Sequence, residues 1–371
     1  MAHLRRELRE NPLLWLLVFV PITLAAEHLG LGTATTRFVL SVLAIVPLAA
    51  LLSRATESVA AKTGDAVGGL LNATLGNLTE LVIALAALRA GEYMLVKASI
   101  AGAIVTNALF VGGMSFLLGG LKYHVQEFNR NTARMQAALL FLATIALLVP
   151  SVVQNVDAVP VEALRAVTED LSLGLSGLLI VSYALGMLFT LRTHREFFGS
   201  VDHGGHDETP WPMAVAAVML GAVTVLVALV SEVFVASVQE AAGSLGLTPA
   251  FVGFIVVALV GGAAEMASAF AGAQKNRLDL SVGIALGAAS QIALFVAPVL
   301  VLLSYVLGPV PMDLTFWPGA IAMMLIAALT IALVTSSGKA AWFIGVLLLM
   351  VYLVFALTLY LLPPAPAAAV R

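Results

Sequence analysis

Gly76-Asn77-Leu78-Thr79-Glu80 and Gly261-Gly262-Ala263-Ala264-Glu265 each set a glutamate four residues after a glycine, in the middle of a long apolar stretch. The likeness extends in both directions. Downstream, Thr106-Asn107-Ala108-Leu109-Phe110 echoes Ser290-Gln291-Ile292-Ala293-Leu294-Phe295 at nearly the same offset, and upstream Glu57 and Gly64 match Gln239 and Gly246. The chain therefore carries an internal repeat. Its units are spaced by five predicted helices, and an odd number inverts the second copy in a membrane. Inverted repeats with interrupted helices meeting at the bilayer midplane characterise secondary transporters.

The surroundings are those of a bilayer. Of 371 residues, 61% are hydrophobic and only 11% charged, which excludes an ordinary soluble domain. Charge-free runs such as Ala98 to Leu121, Leu171 to Leu191 and Leu280 to Met312 reach the roughly 20 residues a spanning helix needs. Short segments of alternating polarity, the mark of a β-barrel, are absent from the sequence. The expected fold is an all-α polytopic membrane protein with about eleven helices: Leu13 to Leu29, Thr36 to Ala61, Ala66 to Ala90, Met94 to Leu121, Met135 to Val156, Leu171 to Leu191, Trp211 to Ala242, Pro249 to Ala273, Leu280 to Leu307, Leu314 to Ser336 and Ala341 to Leu362. Zero cysteines exclude disulfides and thiolate metal sites, and a net charge of -3 gives no reason to expect nucleic acid as a partner.

Positive charge orients the bundle. With the N-terminus inside, thirteen of the 18 Lys and Arg residues fall on the inner side, Arg54, Lys62, Lys122, Arg130 and Lys275 among them. This places the N-terminus in the cytoplasm, and the short loops point to a prokaryotic inner (plasma) membrane. A cleavable signal peptide over Leu13 to Ala26 is the alternative to a retained first helix. The expected organisation is an N-terminal segment with a leading helix at 1–31, a first five-helix repeat at 32–192, a cytoplasmic loop at 193–210, an inverted second repeat at 211–362 and a tail at 363–371.

An ionisable residue at mid-membrane costs about 2.5 to 3.5 kcal/mol on insertion scales, so two in corresponding positions demand a purpose. A purely structural, protonated glutamate is the bland alternative. Gly76 and Asn77 share a helix face with Glu80, and a helix that loosens at Gly76, or at Gly261 and Gly262, releases backbone carbonyls beside the carboxylate. Gly64, Gly68, Gly69, Gly102, Gly112 and Gly113 are read as close helix-packing positions. Carboxylates, carbonyls, amides and hydroxyls suit a hard cation such as Ca2+. No histidine is placed for a midplane relay; His203 and His206, with Glu196, Asp202, Asp207 and Glu208, belong to a solvated loop. Two ionised carboxylates with one divalent cation are neutral, as are two protonated carboxylates, whereas the empty ionised site is expensive. If only neutral forms cross between inward-open and outward-open states, cation is exchanged for protons.

The chain resembles the cation/proton exchanger family, the calcium/proton antiporters within the calcium/cation antiporter superfamily. The likeness rests on Ala55-Thr56-Glu57, Gly68-Gly69-Leu70-Leu71-Asn72-Ala73-Thr74, Gly76-Asn77-Leu78-Thr79-Glu80-Leu81, Lys97-Ala98-Ser99, Phe128-Asn129-Arg130, Leu278-Asp279-Leu280, Gly283-Ile284-Ala285-Leu286-Gly287 and Gln291-Ile292-Ala293-Leu294-Phe295. It implies a leading helix followed by two inverted five-helix halves. It also implies Glu80 and Glu265 as the shared Ca2+ and H+ site, Asn107 and Gln291 lining it, and Asn77, Thr79, Thr106 and Ser290 close by. The second repeat departs from the family's Gly-Asn-Ala-Ala-Glu-His at Gly262 and Met266, and from its usual Pro and Glu at Ala258 and Gln239. Glu57, Glu232 and Gln239 are candidates for an access path.

The rival functions are sodium-coupled calcium exchange, monovalent cation/proton antiport and a cation channel. The leading helix and Asn77 argue against the sodium-coupled branch. An intramembrane hydrolase would need a midplane Ser/His pair, an Asp dyad or a His-Glu-x-x-His helix, and the sequence has none, so no enzymatic activity and no cofactor is expected beyond Ca2+ and H+ as transported ions. Expected partners are these ions and the lipid bilayer.

Overall fold

A computed structural model describes residues 12–153, 161–193 and 210–362. Among the described residues eight helices are long and apolar enough to cross a membrane, and two bent pairs raise the number to ten. A shorter apolar helix, Leu13–His28, stands where the leading span was expected. Its first turns, Pro12–Val18, are 3-10, and α1 proper is Phe19–His28. There follow α2 (Ala34–Lys62), α3 (Asp65–Leu75), α4 (Leu78–Arg89), α5 (Tyr93–Tyr123), α6 (Arg130–Val153) and α7 (Val161–Leu188). The rest comprises α8 (Met213–Ser244), α9 (Pro249–Gly261), α10 (Ala263–Gln274), α11 (Leu278–Leu307), α12 (Pro318–Thr335) and α13 (Trp342–Leu361). His203, His206 and their acidic neighbours, Glu196, Asp202, Asp207 and Glu208, lie outside the described residues, as does the tail at 363–371.

The two motifs quoted above are where helices break. α3 and α4 meet at 43°, and α9 and α10 at 59°. Asn77 (φ -97°, ψ 29°) and Gly262 (φ -81°, ψ 14°) leave the helical ψ range at matching positions. The second helix after each break also matches: α5 carries a π-helical turn at Thr106–Val111 and α11 one at Ile292–Val296. Such turns free backbone groups from the regular ladder and recur at functional sites.

These two helices form the centre of the bundle, α5 being the most buried of all the spans. α2 packs along α8, the first long helix of one half against that of the other. The second piece of each broken helix then crosses over: α4 packs on α8, and α10 on α2. Each half thus completes the other's core.

Three details depart from the sequence expectations. α7 begins at Val161, ten residues early, because its charges are accommodated on the helix surface: Arg165 pairs with Glu169 one turn on at 2.8 Å. The stretch expected to start a helix at Leu314 instead runs irregularly to Trp317, with Met312, Leu314 and Phe316 buried. Its N–H groups are satisfied by serines of three helices, Met312 by Ser304 (2.8 Å), Leu314 by Ser172 (2.9 Å) and Phe316 by Ser151 (2.8 Å). Third, a short antiparallel ribbon pairs β1 (Val125–Glu127) with β2 (Lys339–Ala341). It is anchored where Gln126 donates to Ala273 O at 3.0 Å and where the Asn129 N–H meets the Asp279 carboxylate.

Of the glycines read as packing positions, Gly68 abuts the Ala60 backbone, Gly69 the side chain of Leu191, Gly102 the Phe254 backbone and Gly113 the α13 residues Gly345 and Leu348; Gly112 makes ordinary contact with Ile331. Gly64 is different. It has φ +82° and open space around it, so it turns the chain between α2 and α3 rather than packing.

Candidate functional site: two carboxylates at two helix breaks

Glu80 lies in the first turn of α4 and Glu265 in the first turn of α10, each just past its break. The N-terminal ends of two half-helices thus face carboxylates, an arrangement the helix dipole favours. A Cβ placed on Gly262 would lie 3.6 Å from Glu80 Oε1 and 3.9 Å from Glu265 Oε2, so both carboxylates converge on one glycine. Gly261 approaches Glu80 closely: its Cβ would stand 3.0 Å from Glu80 Cγ, tighter than ordinary van der Waals contact. Glu80 is buried, and Glu265 is partly covered with its Oε2 enclosed.

Asn77 links the halves. Its Nδ2 donates to Gln291 Oε1 at 2.6 Å, from the break of the first half to the residue before the π turn of α11 in the second. Gly76 stands beside the same amide, its Cβ position 3.8 Å from Gln291 Oε1. Asn77 Oδ1, Glu80 Oε2 and Glu265 Oε2 are buried without hydrogen-bond partners among the described residues. Unpaired buried acceptors are costly unless a proton or a cation satisfies them, and here three are gathered around two carboxylates. Among the described residues no group of three or more His, Cys, Asp or Glu side chains is clustered for a metal, so any cation held here relies on these two carboxylates plus neutral oxygens.

Thr79, Thr106, Asn107 and Ser290 are all buried. The hydroxyls of two of them are engaged elsewhere: that of Thr106 donates to Tyr352 OH at 3.3 Å, and that of Ser290 to Leu286 O at 2.7 Å within its own helix. Of the access-path candidates, Glu57 on α2 accepts from Ser53 at 3.4 Å and lies close enough for its charge to bear on Glu265. Glu232 and Gln239 sit apart from the glutamates on exposed surface, in an ion pair with Arg89 (3.6 Å) and a hydrogen bond to Glu92 (2.5 Å) respectively. Met266 faces an apolar cluster with Val111, Ala269 and Ala285.

Sequence reasoning passed over Tyr352, Gln136 and the pair Lys97–Asp313. Tyr352 was hidden in the unbroken apolar run of α13. Gln136 lines a small cleft with Asn129 and Asp279, and its Oε1 is buried without a partner among the described residues. Lys97 Nζ lies 2.5 Å from Asp313 Oδ1 and fastens α5 to the irregular stretch after α11. Thr315 donates to the same carboxylate. Burial works against this charge, but Lys97 and the Thr315 hydrogen bonds outweigh it and hold the Asp313 carboxyl below its usual range.

The two ends of the site are packed differently. On the face that carries Gly91 and Asp313, α9 lies tightly on α5: the Gly253 Cβ position is 2.7 Å from Ala98 Cβ, and Gly102 touches the Phe254 backbone. On the face that carries Lys122 and Lys275, α3 rests on α2 and on the turn Phe189–Thr193, and nothing of comparable extent joins it to α11. Val67 and Leu70 are accordingly exposed.

A helical membrane bundle with paired broken helices and carboxylates at the breaks defines an ion transporter of the exchanger type. The chain belongs to the sodium/calcium exchanger protein family, which it matches over residues 33–192 and 215–361. It is 40% identical over 369 residues to a Ca2+/H+ antiporter of Synechocystis, covering 94% of this chain and 96% of that one. The Ca2+/H+ antiporter ChaA of Bacillus subtilis is 40% identical over 321 residues, 86% of this chain and 90% of that one. Among solved structures, that of the Ca2+/H+ antiporter protein YfkE superposes with a TM-score of 0.80 at 34% identity, over 95% of this chain and all of the other. The H+/Ca2+ exchanger CAX shares the fold, with a TM-score of 0.70 at 16% identity over 96% and 88%.

Proposed function

We propose that this protein is a secondary transporter that exchanges Ca2+ for protons across the membrane, Glu80 and Glu265 binding cation or protons in turn. The observation that carries the proposal is the convergence of both carboxylates on Gly262, with unpaired acceptor oxygens of Asn77, Glu80 and Glu265 around them. Ca2+ takes six to eight oxygens at 2.3–2.6 Å, mixing carboxylate, amide, carbonyl and water. Asn77, Gln291, Asn107 and the carbonyls freed at the breaks supply the neutral share; Thr79, Thr106 and Ser290 shape the wall. The transported ions are substrates, and the protein acts as a transporter rather than an enzyme. The likeness to Ca2+/H+ antiporters supports the choice of ion.

Alternating access follows from the unequal ends. The α9–α5 contact closes one face while α3 stands off α11 on the other, so the described conformation opens toward the face of Lys122 and Lys275. The excess of Lys and Arg there makes that face cytoplasmic, with the N-terminus on the same side, in the plasma membrane of a prokaryote. The moving units are the repeats at 32–192 and 211–362. Glu57, on the open side, lies on the route to Glu265; Glu232 and Gln239 belong to the rim of the closed side.

The test is transport in proteoliposomes with an imposed pH gradient, following Ca2+ and internal pH together. Coupled, opposite fluxes are expected. Ca2+ movement that dissipates its gradient without moving protons would instead indicate a channel, and a requirement for Na+ would indicate the sodium-coupled branch.

A further inference from the structure

We infer, resting on the alternating access proposed above, that Tyr183 is a positioning residue for transport: its hydroxyl keeps α3 seated on α7 and off α11 through a carbonyl left free at the first helix break, and Tyr352 is its counterpart for α9 in the opposite state. A helix that breaks leaves the C=O groups of its last turn without N–H partners. α3 ends at Leu75, and the Gly76 N–H bonds back to Asn72 O at 2.8 Å. The next acceptor, Ala73 O, is the one that the Asn77 N–H would reach in a continuous helix. Asn77 has left the helix, and Ala73 O takes the Tyr183 hydroxyl at 2.8 Å.

Tyr183 belongs to α7, so this bond ties the first piece of the broken helix to the last helix of the same half. The tyrosine is itself held in place, its ring lying on Phe295 in the π turn of α11 with 5.3 Å between centroids. One turn before Ala73, the place of the missing Gly69 side chain is filled by Leu191, from the turn Phe189–Thr193 that continues α7. Docking of α3 on α11 through Gly69 requires both contacts to part.

The repeat supplies the second tyrosine. Tyr352, on the last helix of the second half, lies on Phe110 with 5.2 Å between centroids, as Tyr183 lies on Phe295, and the two phenylalanines end matching motifs. The two hydroxyls are nevertheless used differently. On the closed face α9 is docked on α5, and Ala258 O, at the position of Ala73, accepts from the Gly262 N–H of its own chain at 3.2 Å. The Tyr352 hydroxyl accepts from Thr106 at 3.3 Å, with its own proton still to give. A tyrosine thus takes the freed carbonyl where the face is open and leaves it to the backbone where the face is closed. When the faces exchange, Tyr352 takes Ala258 O and Ala73 O returns to the Asn77 N–H, so that neither state buries an orphaned carbonyl.

The experiment measures how fast a water-soluble maleimide labels single cysteines in the purified full-length protein, which has no cysteine of its own. Leu95→Cys, buried beside Gly253, reports opening of the closed face; Gly287→Cys, whose Cβ meets only Gln136 Nε2 at 3.8 Å, reports the open one. Tyr183→Phe keeps the ring on Phe295 and removes the hydroxyl. It should speed labelling at position 95 by about threefold, the shift that one interhelical hydrogen bond of ordinary strength in a membrane makes, with no gain at position 287. Tyr352→Phe should slow labelling at position 95 by a similar factor, because the Thr106 hydroxyl it leaves can turn to a carbonyl of its own helix. Faster labelling at both positions would mean that Tyr183 only stiffens the bundle, and unchanged labelling at 95, or the same direction in both variants, would equally overturn the inference. Because labelling is read apart from transport, a protein whose labelling shifts as expected yet exchanges no Ca2+ for protons would overturn the proposed function while upholding the part of Tyr183.

Discussion

The Asn77 side chain donates to Gln291 Oε1 at 2.6 Å across 214 residues of sequence, joining the helix break of one half to the central helix of the other. Interhelical hydrogen bonds in membranes are worth about 0.6 to 2 kcal/mol. Asn77→Ala and Gln291→Ala, singly and together, should show a coupling of that size in thermal unfolding, with the double variant little worse than either single one. Additive losses would mean that the two amides act independently.

Lys97 and Asp313 tie the closed face together. Because Asp313 is held below the ordinary carboxylate range, its contribution to stability is complete above that range and is lost as pH falls through the lowered value. Asp313→Asn should cost about 1.5 to 3 kcal/mol at neutral pH, the worth of hydrogen bonds to a charged group, and the loss should vanish in strong acid. Thermal unfolding followed from pH 7 down through the ordinary Asp range (about 3.9) and into stronger acid reads it.

Gly102 lets the Phe254 backbone touch α5. Gly102→Val should wedge the closed face open. A single reporter cysteine at Leu95, buried beside Gly253 and introduced into a chain with none of its own, should become several-fold faster to label from that face. Unchanged labelling would place the seal elsewhere.

The offset of 185 residues that relates Glu80 to Glu265 makes Gly69 and Gly287 the counterparts of Phe254 and Gly102. If the open face closes as the closed one is closed now, α3 docks on α11 through these two glycines. Gly69→Cys with Gly287→Cys should then form a disulfide that halts transport until reduced. A disulfide that leaves transport intact, or none formed during turnover, would mean that α3 does not move in this way.

Much of this architecture could be read from the chain because the membrane imposes it. A spanning segment must satisfy its own backbone, so apolar length alone located nearly every helix, and Gly76 and Gly261 marked the breaks in two of them. The glutamates stood out because a charge in such a setting has to be answered. What escaped depended on tertiary partners. The start of α7 lay among charges that only an i, i+4 pair makes compatible with a helix, and the stretch before Trp317 is apolar enough to pass for one until three serines are seen to take up its N–H groups. Gly64 looks like its packing neighbours in sequence, and only its positive φ sets it apart. Thr106 and Ser290 share a motif with Asn107 and Gln291, but a hydroxyl can turn to whatever acceptor is nearest, and theirs bond to the Tyr352 hydroxyl and the Leu286 carbonyl.

The central claim is that Ca2+ and protons compete for one pair of carboxylates. It is tested most directly by adding Ca2+ to weakly buffered, purified protein and reading the pH. Ca2+ should release protons, and Glu80→Gln and Glu265→Gln should each abolish the release together with high-affinity Ca2+ binding. Ca2+ that binds tightly with no proton released, or a release that survives both substitutions, would contradict a shared site.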